Sequence, residues 1–338
     1  MKPSYKRSKW FYNAARFDWR HDNCFTMIDV EQHDARRKED GTWKNLEHER
    51  DVDTCVVKLI HLIGSYADNR KNGAFDLANK LQFLTLDVIG LVGFGKSFGL
   101  LDMDADPHDF VRSTEEGLHR VNKLMALGKA TGFEKMLTTS SDIVAAREKA
   151  FRKNLESSGN KTAERADMLA SFMRNGLLGD ELKTESLLQI VAGSDTTAGS
   201  LRGTMLYIMT HPRVCRALQT EIDAAVRDGK APGDEVIPYA QTKSLPYLQA
   251  VVREGIRIFP PLTDPLARDV PPGGDTVMID GRQEVFLPAG VSVIPSWTAM
   301  HRDRALYGED ADLFRHGRWL ESEQPDADRL RPCGGPTT

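Results

Sequence analysis

Disulfide scaffolds, zinc ribbons and membrane helices all want raw material that this 338-residue chain lacks. Its four cysteines, Cys24, Cys55, Cys215 and Cys333, lie far apart and form no C-x-x-C pair. That excludes a disulfide framework or a metal ribbon as the default and suits a reducing compartment. The roughly 18 consecutive apolar residues of a membrane span occur nowhere, because the most apolar stretch, 81–101, is interrupted by Asp87 and Lys96. An excess of basic charge is also missing. The net charge is −4, which removes the global field that nucleic-acid binding needs. The first ten residues are basic without an apolar core, so they read neither as a secretory leader nor as a first strand. No internal repeat is found.

What is present is ordinary soluble-protein composition, 40% hydrophobic and 28% charged, on a chain long enough to bury a large core. Apolar periodicity predicts helices over 52–66, 77–94, most of 107–155, 168–175, 182–210, 214–227 and 245–258. Short strands are expected at 276–279 and 285–287 around an Asp280-Gly281 turn, and at 291–294 after a Pro-Ala-Gly turn. Ala250, Tyr247 and residues 291–295 are expected in the core. The fold class is therefore mainly α with a small β region.

The segment 182–210 predicts the longest helix, about 43 Å from end to end. Within it Gly193, Gly199 and Gly203 each cost about 1 kcal/mol relative to alanine, so their presence asks for a reason. Ala192, Thr196, Gly199 and Gly203 share one face. A large flat ligand can lie on so smooth a surface, with Asp195 and Thr196 passing a proton inward at its border. Close helix–helix packing through small residues accounts for the same pattern.

Downstream, Glu254 and Arg257 stand three apart on a helix whose apolar stripe is Leu245, Leu248, Val252 and Ile256. Such a pair on a wet face contributes only about 0–1 kcal/mol. The following Phe259-Pro260-Pro261 and the later Phe314-Arg315-His316-Gly317-Arg318-Trp319 raise its interest. Arg318 is a candidate third member of a buried charge cluster, its loop held by Phe314 and Trp319.

AGSDTT on a long central helix, then ExxR with FPP, then a short β region, then FRxxRW resembles the cytochrome P450 family in order and spacing, over about residues 5–325. The stretch FYNAARFDWRHDNCFTMIDVEQHDARR resembles its fungal members. The resemblance implies haem as cofactor, O2 and an apolar small molecule as substrates, electrons from an NADPH-dependent reductase, and the endoplasmic reticulum membrane as location. It places Asp195 and Thr196 in the oxygen-activation groove, with Ala192 and Gly193 against the haem. Glu254, Arg257 and Arg318 become the structural triad. His33 and Arg37 face the haem propionates, or form a solvated basic helix end. Arg268 is a further propionate candidate, or an exposed loop arginine.

The family's iron ligand is a cysteine in FxxGxRxCxG. Here only Arg331, Cys333 and Gly335 fit, with Asp326 and Arg329 at the Phe and Gly positions. Cys333 is thus either the metal ligand or a cysteine without that role, and Cys24, Cys55 and Cys215 lack a glycine-rich cradle altogether. The expectation is a single domain over 1–338, incomplete at both ends: an N-terminal anchor, a first sheet and the helix after Cys333 are expected to be missing. Three functions remain open, namely a haem monooxygenase, a remnant that holds no haem, and a helical binder of small apolar ligands.

Overall fold

A computed structural model describes residues 4–18, 20–40, 45–68, 74–115, 134–157, 167–263, 266–279 and 282–320. Its axis is the helix Gly179–Thr210, which begins three residues before the expected start. Gly179 enters at φ +64°, and Asp180 and Glu181 occupy the first turn, where the helix dipole favours negative charge. The chain leaves this helix at His211, and Pro212 opens the next one, Pro212–Arg227, as suits a residue with no N–H to donate.

The helix Leu77–Phe94 packs along the central helix. Its hydropathy averages 1.3 over 18 residues, long and apolar enough to cross a membrane, yet most of it is buried inside the protein. Asp76 caps its start by accepting from the Asn79 N–H, and Gly95 closes it in the left-handed conformation. Asp87, the interruption in this apolar run, is fully buried. Its carboxylate accepts from the N–H groups of Gly99, Leu100 and Leu101 at 2.7, 3.2 and 2.9 Å, so it anchors the start of the short helix Leu100–Met103.

The helices Asn45–Asp68, Glu134–Ser157 and Met168–Arg174 complete the main core with Phe83, Leu86, Phe110, Phe172, Leu187 and Ile190. Of the expected 107–155 helical region, 110–115 and 134–155 are helical and 116–133 lies outside the described residues. The short helices Lys9–Ala14, Tyr239–Thr242, Trp297–His301 and Arg304–Tyr307 have too few residues for a period to show in sequence.

Two small antiparallel sheets flank the helices. β1 (Lys6–Arg7), β2 (Arg268–Asp269) and β5 (Ser292–Val293) form one, in the order β1-β2-β5, with Arg7 opposite Arg268 and Arg268 opposite Val293. β3 (Asp275–Ile279) and β4 (Gln283–Leu287) form the expected hairpin, its 280–281 turn outside the described residues. Two expectations are corrected here. The amino-terminal segment does hold a strand, which two residues cannot announce by alternation. The 291–294 strand is only two residues long, and Val291 and Ile294 are 42% and 47% exposed instead of core.

The helix Pro246–Ile258 also departs from its expected stripe. Ala250, Val251, Glu254, Arg257 and Ile258 are buried, whereas Val252 and Ile256 are 40% and 41% exposed. The cause is a close crossing with the central helix. A methyl group on Gly255 would overlap the Thr204 hydroxyl, so only glycine lets the helices meet at this angle, and the meeting turns the charged pair inward.

Candidate functional site

The inward turn of Glu254 creates a dense charged knot. Its carboxylate is fully buried and accepts from Arg257 Nε and Nη2 at 2.9 and 2.8 Å, from Arg318 Nε at 3.1 Å, from the Arg315 N–H at 2.8 Å and from Trp319 Nε1 at 2.9 Å. Arg257 spends its remaining donors on the carbonyls of His301, Ala311 and Leu313, and Arg318 continues to Asp310 and the Tyr307 carbonyl. Burial alone would push the Glu254 carboxyl upward. The hydrogen bonds from Arg257 and the Arg315 N–H, together with the Arg257 charge, outweigh it and hold the carboxyl below its ordinary value. The knot ties the helix Pro246–Ile258 to the 3-10 turn His316–Trp319, and Phe314 locks the loop by stacking on Tyr207 at 4.7 Å.

The small-residue face of the central helix divides into two. At its lower end Gly203 is covered by Phe259, whose ring carbons would lie 2.8–2.9 Å from any added methyl. Gly199 borders the same ring. This part serves helix packing, because the Gly255 crossing delivers Phe259 onto it. Gly193 turns toward Ile89, 3.1 Å from a would-be methyl, so its smallness also admits the neighbouring helix. Ala192 is exposed and Thr196 half-buried, and these keep an open surface. The flat ligand face expected over four residues is thus shortened to its upper end.

Asp195 and Thr196 point to different partners. The Thr196 hydroxyl donates to the Ala192 carbonyl at 2.7 Å. Asp195 lines a cleft of about 410 Å³ with Gly199, Arg202, Phe259, Pro260 and Arg302. Burial pushes its carboxyl up; Arg202 opposes this and Glu115 adds to it. A carboxyl that keeps its proton longer than usual is suited to handing one on.

A third group gathers at the sheet edge. His33 sits on the helix Val30–Asp40, its Nε2 3.1 Å from Arg7 Nη2 and its Nδ1 3.2 Å from Asp34. Arg37, one turn on, is exposed, and its neighbour Arg36 is the buried arginine, 3.1 Å from Glu181 and 3.6 Å from Glu185. Arg268 donates to the Tyr12 hydroxyl and to the carbonyls of Leu266 and Ala267. The guanidinium carbons of Arg7 and Arg268 lie 5.2 and 5.3 Å from the Tyr12 ring centre. Burial lowers the Arg7 pKa, as does the like charge of Arg268. Arg7 and Tyr12 escaped sequence reasoning; their only signal was their place in a segment rich in aromatic and basic residues.

These three arrangements fall in one stretch of chain that has clear relatives. The sequence profile of the cytochrome P450 family matches residues 29–332. The chain belongs to the cytochrome P450 family. It is 34% identical to cytochrome P450 monooxygenase ABA1 of Pyricularia oryzae over 96% of its own length and 65% of the relative's. It is 32% identical to the aba1 monooxygenase of Botryotinia fuckeliana with the same coverage, and 28% identical to a pisatin demethylase of Fusarium vanettenii over 89% of this chain and 61% of that protein. The chain thus spans about 65% of the length of the first two of these curated relatives.

Cytochrome P450 proteins carry haem held through a cysteine thiolate. The donor set described above fits that group. Among the described residues neither Arg7 nor Arg268 has a carboxylate within ion-pair distance, Asp34 reaching Arg7 only from further off, and two cations so placed suit two propionates. Cys333, the sequence candidate for the iron, lies outside the described residues. Cys55 is buried within the main helical core, its thiol pushed up to about 12 mainly by that burial.

Proposed function

We propose that this cytochrome P450 chain is a haem-dependent monooxygenase that inserts one oxygen atom of O2 into an apolar small molecule, using electrons from an NADPH-dependent reductase. The observation that carries the reading is the cationic group around Tyr12, paired with the open Ala192–Thr196 surface of the central helix. Arg7, Arg268 and His33 would hold the propionates, and Cys333 would supply the sulfur. When bound, haem iron supplies reductive activation of oxygen.

The chain's own residues contribute proton handling. Burial disfavours the charged form of Asp195, so its carboxyl gives up a proton less readily than an ordinary aspartate. The Thr196 hydroxyl proton is committed to the Ala192 carbonyl, which leaves the oxygen's lone pairs to accept from a neighbour. Phe259, Pro260 and Pro261 give the adjoining cleft an apolar wall suited to a substrate of the same character. Family resemblance supports association with the endoplasmic reticulum membrane.

A second reading has its own observation. Asp326 and Arg329 stand where the cysteine loop of the family has Phe and Gly, and a loop so altered favours a scaffold that does not ligate iron. The difference spectrum of the reduced, carbon monoxide-treated protein separates the two. A Soret band at the thiolate position, lost in Cys333→Ala, supports the monooxygenase. Haem retention without that band, or none, supports the second reading.

A further inference from the structure

Two guanidiniums over a single aromatic ring are an unusual arrangement, since like charges at close range repel. Here the ring belongs to Tyr12, which is 2% exposed and cannot drift. Phe11 meets it edge-on at 5.0 Å and Phe25 at a tilt at 5.5 Å, and Ala267 completes the cluster. Arg7 is pinned independently, through the carbonyls of Cys24, Phe25 and Met27. Arg268 is pinned by the Tyr12 hydroxyl and two carbonyls. The pairing of β1 with β2 sets the two residues opposite each other, so backbone register and aromatic ring define the same spacing twice.

We infer that Tyr12 is a positioning residue for a dicarboxylate clamp: its ring seats Arg7 and Arg268, and its hydroxyl orients Arg268, so that the two cations together take the paired carboxylates of a porphyrin. The inference rests on the proposed haem site but not on the iron or on any sulfur ligand. The electron-rich ring face offsets part of the cation–cation repulsion. The ring thereby keeps both arginines in place until a carboxylate arrives. A leucine there would keep the site apolar but remove both the ring face beneath the two guanidiniums and the hydroxyl that Arg268 donates to.

The test uses the full chain with metal-free protoporphyrin IX and its dimethyl ester, followed by porphyrin fluorescence. The ester keeps the flat ring and loses both charges. The wild-type protein is expected to prefer the acid by about tenfold or more, the scale of one or two charge-assisted contacts. Tyr12→Leu should lose most of that preference while its affinity for the ester stays within about twofold, the ester serving as the control for an intact pocket. Tyr12→Phe should keep the larger part. Equal loss of acid and ester binding in Tyr12→Leu, or no change in either, overturns the inference, and so does a wild type that binds neither porphyrin or does not distinguish them. Should Tyr12→Leu not fold, Arg268→Gln decides. In that background Tyr12→Phe should change the acid preference no further, whereas an additive loss shows that the hydroxyl does not work through Arg268. Selectivity for the acid without a thiolate-type spectrum would remove the monooxygenase reading and leave the clamp standing. The spectrum without selectivity would do the reverse.

Discussion

Replacing Glu254 by glutamine removes one charge and almost no volume, yet it should be among the most damaging single changes available. Five donors converge on the carboxylate, all within 3.1 Å. Arg257 is 2% exposed and would keep three carbonyl partners but lose the one anion that compensates it. Breaking a buried ion pair from one side costs about 3–5 kcal/mol. The amide also presents an NH2 group to donors, so at least one of the five hydrogen bonds becomes a donor–donor contact. Urea unfolding followed by circular dichroism reads the loss as a shift in midpoint at constant slope. Arg257→Met should cost a similar amount, and Glu254→Leu combined with Arg257→Met should cost about 2 kcal/mol less than the sum of Glu254→Leu and Arg257→Met measured singly. It will not be neutral, because the Arg315 N–H and Trp319 Nε1 lose their acceptor. The Glu254 carboxyl is held below its ordinary value. Its contribution is therefore complete above the unfolded-chain range near pH ~4.3 and disappears as pH falls through the lower folded value. A Glu254→Gln protein within about 1 kcal/mol of wild type, or a double mutant equal to the sum, refutes this account of the knot.

Gly203→Ala places a methyl within 3 Å of three Phe259 carbons and should destabilise by about 1–3 kcal/mol, with Phe259→Leu restoring part of the loss in the same urea assay. Asp87→Ala strands the buried N–H groups of Leu100 and Leu101, while the Gly99 N–H keeps the Ser97 hydroxyl as acceptor. A loss of about 2–4 kcal/mol is expected, accompanied by faster amide exchange at Leu100 and Leu101. Carbon-detected NMR should show Asp195 titrating above the ordinary aspartate range. Because its folded value is raised, ionisation burdens the fold as pH rises through it, so Asp195→Asn should raise the urea midpoint at neutral pH and leave it unchanged under acid.

Much of the helical frame was legible because apolar residues recur with the helix period over long segments, as in 77–94 and 182–210. The Glu254–Arg257–Arg318 association was readable from motif order as a buried charge cluster, although the helix face that buries it was not. The stripe Val252–Ile256 suggested the opposite face, and only the contact between Gly255 and Thr204 explains the turn inward. Local pattern also cannot reveal that Phe259 folds back on Gly203, since 56 residues of chain separate them. The same limit hid Arg7 and Tyr12. Their role arises from a two-residue strand pairing with Arg268, some 260 positions away, and no periodicity marks such a strand. Asp87 looked like a flaw in an apolar run and is instead the cap of the next helix.

The central claim is that the open Ala192–Thr196 surface and the Arg7–Arg268 pair receive one porphyrin. Anomalous diffraction at the iron edge from crystals of the haem-loaded chain tests it most directly. The account predicts a single iron peak beside that surface, with the propionates at the two guanidiniums and the Cys333 sulfur on the iron. A peak elsewhere in the molecule, a porphyrin whose carboxylates face solvent away from Arg268, or a histidine on the metal would contradict it.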